Sequence, residues 1–274
     1  METAIKKALD PLPRNDQGRF YHLDCGPGEV APYILTCGDP DRVRRLARFF
    51  DRVEVRRRHR EFVTLTGTYK GIPVTALATG IGPDNTAIAV IEASQCVAPA
   101  TFIRLGTTGA LQEHIAVGDL VITEQALRDE TTSHYYAAPD LAAPAHPQVT
   151  RALQHAAQEL GVPHHVGLTC TTSDFYAGQG RQPPGFTCRD PGKVERLQAA
   201  GVLNFEMEMS VYLTLAQISS YPLRAGGACV VLDNMVTGGE AFTSPREKSR
   251  AIGRLLRVGL RALELLHAAD MERK

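Results

Sequence analysis

The stretch Asn204-Phe205-Glu206-Met207-Glu208-Met209 places two carboxylates two positions apart inside an otherwise apolar run at residues 201–215. Period-two spacing directs both side chains to the same side of an extended segment, but to opposite sides of a helix. An ionised carboxylate in an apolar setting is costly unless donors hydrogen-bond it, and the paired hydroxyls of a sugar are suitable donors. The alternative is an edge strand that leads into an exposed helix, with both glutamates solvated.

Strand-like and helix-like segments alternate from about residue 32 to the end of the chain. Phe62–Tyr69 and Ile72–Ala78 are joined by Lys70-Gly71, which predicts a β-hairpin. Ser244-Pro245-Arg246-Glu247 predicts a helix start, because serine caps, proline suits the first turn and glutamate completes a capping box. No repeat or linker interrupts the pattern. The sequence therefore predicts a single α/β domain with a central mixed β-sheet flanked by helices.

Shorter patterns predict further elements. The predicted strands are 33–36, 101–105, 120–127, 166–172 and 223–232, and the predicted helices are 42–50, 84–97, 148–160 and 211–218. We expect the strand at 101–105 to end at Gly106-Thr107-Thr108-Gly109. Residues 177–191 are rich in Gly, Pro and Gln and are expected to be irregular. A Gly-Gly-Glu segment at 238–240 is a candidate flap.

Composition limits the classes of function. The chain has 274 residues, enough for a sizeable core, and its 30 Lys and Arg balance 30 Asp and Glu, so no global field attracts nucleic acid or an anionic membrane. Residues 1–19 form a polar N-terminal extension without the apolar core of a signal peptide. No apolar run approaches the roughly 18 residues of a spanning helix. Six scattered cysteines indicate neither a zinc site nor a disulfide framework, so we expect a cytoplasmic protein.

Three separate segments offer what an oxyanion needs. Gly38-Asp39-Pro40-Asp41-Arg42 follows a predicted strand and opens a predicted helix, so that backbone N–H groups, the helix dipole and a guanidinium can converge. Arg104-Leu105-Gly106-Thr107 and His59-Arg60-Glu61-Phe62 add two more arginines, whose planar fork suits tetrahedral oxyanions. Nine arginines crowd into residues 42–60, and a solvated helix face accounts for most of them. Each segment by itself is also compatible with an ordinary turn or a surface ion pair.

In this order, these segments resemble the uridine phosphorylase branch of the nucleoside phosphorylase superfamily over about residues 20–265. The blocks that carry the resemblance are Gly38-Asp39-Pro40-Asp41-Arg42-Val43, His59-Arg60-Glu61-Phe62, Thr79-Gly80-Ile81-Gly82, Arg104-Leu105-Gly106-Thr107-Thr108-Gly109-Ala110, Ser173-Asp174-Phe175-Tyr176-Ala177-Gly178-Gln179-Gly180-Arg181 and Asn204-Phe205-Glu206-Met207-Glu208. The resemblance implies a nucleoside phosphorylase domain at residues 20–274 with a distorted, barrel-like sheet. It implies a pentosyltransferase that converts a nucleoside and phosphate, reversibly, into a free base and ribose 1-phosphate. Phosphate is then the co-substrate, and neither a cofactor nor a metal is expected.

The resemblance also implies roles for individual residues. The phosphate ligands would be Gly38, Arg42, Arg104 and Thr107, with Arg60 reaching into a neighbouring subunit's phosphate site. The ribose ligands would be Glu206, Met207 and Glu208, with His22 reaching the 5′-hydroxyl across a dimer interface. The base would be surrounded by Phe175, Gln179, Arg181 and Asp233. The expected catalytic residues are Arg42, Arg104, Arg181 and Glu208. Shared sites imply a homo-oligomer, typically a hexamer of three dimers in this family.

Two positions depart from the family pattern and keep alternatives open. Uridine phosphorylases commonly have Asn-Arg where this chain has Leu232-Asp233-Asn234-Met235, and Phe205 stands where tyrosine is frequent. In purine nucleoside phosphorylases an aspartate that aligns with Asp233 protonates the base; a strand-end cap is the other interpretation. Gln179 and Arg181 favour uridine, because together they match the donors and acceptor that an imide edge requires. The alternatives are a purine nucleoside phosphorylase, a nucleosidase in which water replaces phosphate, and a non-catalytic nucleoside-binding protein.

Overall fold

Ten strands form one mixed sheet in this computed structural model, which describes residues 10–238 and 244–273. The strands are β1 (Tyr33–Cys37), β2 (Arg52–His59), β3 (Phe62–Tyr69), β4 (Ile72–Ala78), β5 (Ala100–Ala110), β6 (Leu120–Asp129), β7 (Ala143–Pro144), β8 (His164–Thr172), β9 (Asn204–Glu206) and β10 (Leu223–Asn234). The helices are α1 (Pro40–Ala47), α2 (Pro83–Cys96), α3 (Pro147–Glu159), α4 (Lys193–Ala199), α5 (Met209–Ile218) and α6 (Pro245–Met271). Residues 1–9 of the predicted extension and residues 239–240 of the candidate flap lie outside the described residues.

The sheet closes on itself. Its strand order is β10-β6-β8-β9-β5-β1-β4-β3-β2, and β10 also pairs with β5 in parallel. Strands β10, β6, β8, β9 and β5 therefore form a closed five-stranded barrel, from which β1, β4, β3 and β2 extend. This confirms the predicted α/β domain with a mixed, barrel-like sheet.

Helices cover the sheet from two sides and fill two large apolar clusters. One cluster joins α1, α3 and α6 to the sheet, and includes Leu46, Leu153 and Leu255. The other joins α2 and α5 to it, and includes Val90 and Tyr212. Among the described residues, no helix combines the length and the apolar character needed to cross a bilayer.

The elements with strong local signals form as predicted. Strands β3 and β4 pair as a hairpin with Tyr69 opposite Ile72. Helix α6 begins as its capping box predicts, because the Ser244 hydroxyl accepts a hydrogen bond from the Glu247 backbone N–H at 3.2 Å.

The predicted end of a strand at Gly106 is wrong, since β5 continues to Ala110. Its second half is held by β10 in parallel and by β9 at Gly109. A side chain at Gly106 would place its Cβ 2.5 Å from the Cys229 sulfur. The glycine here permits close packing of neighbouring strands rather than a turn.

Two further expectations are corrected by pairing between distant segments. The arginine-rich residues 52–59 are not part of a helix face but form β2, an edge strand that pairs with β3. Strand β9, in contrast, is not an edge: it lies between β8 and β5, and all three of its residues are buried. Glu206 and Glu208 are 3% and 4% exposed, which excludes the interpretation that both are solvated.

Candidate active site

The ends of β1, β4, β8, β9 and β10 and the middle of β5 surround a cavity of about 960 Å³. Most of the site residues expected from the sequence line it. They are Gly38, Arg42, Arg104, Thr107, Phe175, Gln179, Arg181, Glu206, Met207, Glu208 and Asp233. Strand pairing thus brings together residues from five separate parts of the chain.

One end of the cavity is formed by the turn between β1 and α1. Asp39 caps α1, since its Oδ1 accepts a hydrogen bond from the Asp41 N–H at 2.8 Å, and Pro40 occupies the first helical position. A Cβ at residue 38 would lie 2.9 Å from the carbonyl oxygen of Gly80, so only glycine allows this close approach. The result is a compact turn with the N-terminus of α1 directed at the cavity.

Arg42 projects from this first helical turn and is 8% exposed. Its Nη1 donates to the carbonyl oxygen of Leu105 at 2.9 Å. Its Nε is buried and has no hydrogen-bond partner among the described residues. Since a buried N–H without a partner is costly, this guanidinium has unused capacity to bind an acceptor.

The floor of the cavity is a buried ion network. Arg104 donates from Nε to Glu206 at 2.9 Å, and from Nη2 to Glu208. The other oxygen of Glu208 accepts from the backbone N–H of Gly82 at 2.7 Å. Although burial disfavours the charged guanidinium, Glu208 and Glu206 outweigh that effect and raise the pKa of Arg104 above its ordinary value. Arg104 is therefore a permanent cation between two carboxylates.

Glu206 is held by donors alone. Besides the hydrogen bond from Arg104, its carboxylate accepts one from the Thr171 hydroxyl. It also accepts hydrogen bonds from the backbone N–H groups of Glu208 and Met209, at 2.9 to 3.0 Å. Burial raises the pKa of Glu206 above its ordinary value, and the Arg104 charge opposes that rise. These donors fix the start of α5, and with it the position of Glu208. Glu206 thus supports the cavity floor.

The other end of the cavity has the groups expected at a base. Gln179 is 4% exposed, and its side-chain oxygen accepts from Arg181 at 3.3 Å. Arg181 also donates to Asp233 at 3.2 Å, and its guanidinium carbon lies 4.6 Å from the centre of the Phe175 ring. The register of β10 against β5 shifts between Val231 and Asp233, and this irregularity accompanies the arrival of Asp233 at the cavity.

His22 and Arg60 do not line this cavity. The His22 Nδ1 is 2.7 Å from Glu92 Oε1 and is engaged with it. Arg60 is exposed at the β2–β3 turn, where its Nη2 is 3.5 Å from the Tyr21 hydroxyl. Within one chain, then, these two residues are separated from the other expected site residues.

The buried cysteines near the cavity and the arrangement of potential metal ligands bear on which chemistry the site can perform. Burial raises the pKa of Cys229, next to Arg104, to about 12, and does the same for Cys37. Both thiols are therefore protonated at neutral pH and poor nucleophiles. Among residues 10–238 and 244–273, no group of three or more His, Cys, Asp or Glu side chains is placed to hold a metal ion.

Sequence reasoning missed some residues that line the cavity. Asn85 lies in the first turn of α2, and Lys248 lies one turn into α6. Asn85 follows the Gly80-Ile81-Gly82 segment, and that adjacency could have indicated it. No local signal distinguishes Lys248 from the other charged residues of an exposed helix turn.

Comparison of this chain with known proteins identifies the family to which the fold belongs. Residues 32–263 match the family model of the phosphorylase superfamily, and the chain belongs to that superfamily. A uridine phosphorylase from Thermococcus kodakarensis is 42% identical over 266 residues, which cover 96% of this chain and 92% of the relative. A uridine phosphorylase from Escherichia coli K12 is 41% identical over 219 residues, which cover 78% and 85%. The predicted family is thereby confirmed.

A solved structure extends the comparison to three dimensions. The nucleoside phosphorylase of Trypanosoma brucei, described as showing uridine phosphorylase activity, superposes with a TM-score of 0.86 at 28% sequence identity. The match covers 92% of this chain and 99% of that one. The closed barrel with its flanking helices is therefore the fold of this superfamily.

Proposed function

We propose that this protein catalyses the reversible phosphorolysis of uridine, in which uridine and phosphate give uracil and ribose 1-phosphate. One observation carries the proposal: a single cavity is lined by Arg42, by Glu208 and by the Gln179–Arg181 pair. Arg42 thus offers hydrogen-bond donors for an anion, and Glu208 offers an acceptor for sugar hydroxyls. Gln179 and Arg181 together offer hydrogen-bonding groups for the imide edge of a base. Its volume of about 960 Å³ suits a nucleoside with phosphate. The similarity of this chain to uridine phosphorylases of Thermococcus kodakarensis and Escherichia coli supports this activity.

Phosphate would bind at the β1–α1 turn. The N-terminus of α1 provides a favourable dipole, and Gly38 allows the anion to approach the backbone of the turn closely. Arg42 adds its unpaired Nε, and Thr107 adds a hydroxyl that faces the cavity. The Nη1 of Arg104 has no acceptor among the described residues, so it can donate to phosphate while the rest of the guanidinium holds the glutamates.

Glu208 would bind the ribose. Gly82 and Arg104 orient its carboxylate before any substrate arrives, and each oxygen retains a lone pair for the 2′- or 3′-hydroxyl. Met207, next to it, would pack against the sugar ring. The negative charge of Glu208 and of phosphate lies where the ribose becomes cationic, which stabilises the transition state more than the substrate.

The chemical step breaks the bond between C1′ of the ribose and N1 of uracil, and its electron pair leaves with the base. A phosphate oxygen then bonds C1′, and the uracil anion takes a proton to give uracil. Gln179 and Arg181 would donate hydrogen bonds that strengthen as charge develops on the base. Phe175 would flank its ring. No covalent enzyme intermediate is needed.

Asp233 supports the pyrimidine assignment rather than the purine alternative. Its Oδ2 accepts from Arg181 at 3.2 Å, so it is engaged in orienting the guanidinium that would meet uracil. A general acid for a purine ring would have to leave this ion pair and become protonated. We therefore propose Asp233 as a positioning residue of the base site.

A nucleoside panel tests the activity. The purified protein is incubated with uridine or inosine, each with and without phosphate, and ultraviolet absorbance and ribose 1-phosphate are followed. We expect conversion of uridine only when phosphate is present. Conversion of inosine alone would support the purine enzyme, conversion without phosphate would support a nucleosidase, and binding without turnover would support a non-catalytic protein.

We also propose that the protein works as a homo-oligomer, a hexamer of three dimers, in the cytoplasm, where it serves pyrimidine salvage with phosphate as co-substrate and no other cofactor. Two observations support this. His22 and Arg60 lie outside their own chain's cavity, as residues that complete a neighbour's site would. The six cysteines are all free, which suits a reducing compartment.

Subunit complementation tests the shared site. Arg60→Gln and Glu208→Gln are each expected to be nearly inactive, because each defect occurs in every site of its own oligomer. Co-expressed, the two variants form some mixed dimers in which one site has neither substitution, so activity should return in part. A monomer in analytical ultracentrifugation, or mixed oligomers without recovered activity, would contradict the shared site.

A further inference from the structure

Lys248 lines the cavity from α6, although neither the sequence motifs nor the mechanism above uses it. It is exposed, and its ammonium group makes no hydrogen bond or ion pair with any residue in the described ranges 10–238 and 244–273. An exposed lysine is commonly just solvated. Its placement becomes informative when the charges of the cavity are considered together.

The described lining has more carboxylates than cations. The cations are Arg42, Arg104, Arg181 and Lys248, and the carboxylates are Asp39, Glu61, Glu206, Glu208 and Asp233. A site of this composition does not attract phosphate by its overall charge. Affinity for phosphate must therefore depend on cations that carboxylates have not already neutralised.

Two of the four cations are neutralised by ion pairs with carboxylates of the same cavity. Arg104 pairs with Glu206 and Glu208, and Arg181 pairs with Asp233. Arg42 donates only to a backbone carbonyl, and Lys248 has no partner in the described part of the chain. These last two are consequently the cavity cations whose charge is available to an incoming anion.

The backbone next to Lys248 is linked to α1, the helix that begins at the proposed phosphate end of the cavity. The carbonyl oxygen of Ser249, its neighbour, accepts from Arg45 of α1 at 2.9 Å. The apolar faces of the two helices belong to the same core cluster, with Val43 and Leu46 on α1 and Ile252 on α6. The first turns of α6 are thereby held against the helix whose N-terminus forms the anion-binding turn.

We propose that Lys248 is a second phosphate-binding cation, which acts with Arg42 on the co-substrate. This inference rests on the proposed phosphorolysis. An ammonium on a flexible four-carbon stem can follow an anion that changes from free phosphate to a phosphate ester, as this reaction requires. Arg42 would define the geometry of the site, and Lys248 would supply a mobile charge from α6.

The test compares Lys248→Gln, Lys248→Arg and the control Arg250→Gln, which removes an exposed charge from the same helix. Phosphate binding is measured by calorimetry without nucleoside, and KM is measured for phosphate and for uridine. For Lys248→Gln we expect the Kd and KM of phosphate to rise about five- to tenfold, as for a charge-assisted hydrogen bond in a partly exposed site. The KM of uridine and the melting temperature should be unchanged, and the other two variants should resemble the wild type.

Three outcomes would overturn the assignment: unchanged phosphate binding, a change in uridine KM instead, or an equal effect from Arg250→Gln. The last would indicate a general electrostatic effect rather than a contact. Calorimetry also separates this inference from the proposed function. If the wild type binds phosphate through Lys248 but does not cleave uridine, the proposed reaction fails while the phosphate site remains.

Discussion

Arg104 and Glu208 are 104 positions apart in the chain, yet they form a buried ion pair on the floor of the cavity. The second oxygen of Glu208 is held by the Gly82 N–H at 2.7 Å. The carboxylate is therefore oriented before a substrate binds. Preorganisation of this kind lets a charged group act on a transition state without first rearranging its surroundings.

Glu208→Gln tests that role. The amide keeps the shape of the side chain but removes the charge that would face the developing ribose cation under the proposed mechanism, so kcat/KM for uridine should fall by about two to three orders of magnitude. The ratio of kcat/KM for uridine to that for 2′-deoxyuridine should fall, because the 2′-hydroxyl would lose its charged acceptor. Glu54→Gln, which changes an exposed carboxylate paired with Arg52, is the control and should be fully active. The same ratio in Glu208→Gln as in the wild type would contradict the assignment.

The base site is tested by changing Arg181 and its partner. Arg181→Ala should lower kcat for uridine by about two orders of magnitude, since it removes the proposed donor to the departing base. Asp233→Asn should have a smaller effect, mainly on uridine KM, because the guanidinium remains but is less well oriented. Steady-state kinetics with uridine and inosine measure both. If Asp233→Asn abolished turnover and Arg181→Ala did not, Asp233 would be the proton donor instead.

A second cluster of charged residues, which does not line the cavity, predicts how the free energy of unfolding depends on pH. Arg224 donates to both oxygens of Asp270 at 2.8 and 2.5 Å, and the Tyr33 hydroxyl donates at 2.7 Å. The Arg224 hydrogen bonds lower the pKa of Asp270 below its ordinary value, against burial, which would raise it. A lowered pKa means that the folded state favours the ionised form. The resulting stability is present above about pH 4 and is lost as the pH falls through the folded-state pKa.

Asp270→Asn should accordingly lower the free energy of unfolding by about 2 kcal/mol at pH 7, the size of hydrogen bonds to a charged group. The difference from the wild type should decrease below about pH 4, because the Asp270 carboxyl becomes protonated first in the unfolded state and, at lower pH, in the folded state. Urea denaturation at several pH values provides the measurement. The control is Asp190→Asn, whose pair with Arg196 is exposed. A difference that stays constant from pH 7 to pH 3 would show that Asp270 stabilises by shape rather than by charge.

Alanine substitutions at two glycines of α6 should have opposite effects on the stability of the protein. A Cβ at Gly253 would make an ordinary contact, 3.6 Å from Arg45 Nη2, so Gly253→Ala should stabilise the protein by about 0.5–1 kcal/mol through helix propensity. A Cβ at Gly259 would lie 2.5 Å from a methyl carbon of Leu105, so Gly259→Ala should destabilise it by about 1–3 kcal/mol. Thermal unfolding of the two variants measures both. Equal shifts would mean that α6 packs differently against β5.

Local signals predicted those parts of the fold that short segments determine. The hairpin of β3 and β4 and the capped start of α6 follow from turn residues and caps within a few positions. The end of β5 was mispredicted because Gly106 resembles a turn residue locally, while its actual partner is Cys229 on β10. Strand β2 was missed for a similar reason, since only its pairing with β3 reveals it.

The sequence by itself determined the family and the kinds of chemical group at the site: glycines near strand ends, arginines and closely spaced glutamates. The tertiary structure decided which of those groups are available. It neutralises Arg104 with Glu206 and Glu208, pairs Arg181 with Asp233, and brings Lys248 to the cavity wall. The reason is physical: helix caps and turns are set by neighbours in sequence, whereas the state of a buried charge is set by whichever distant residues the closed barrel places beside it.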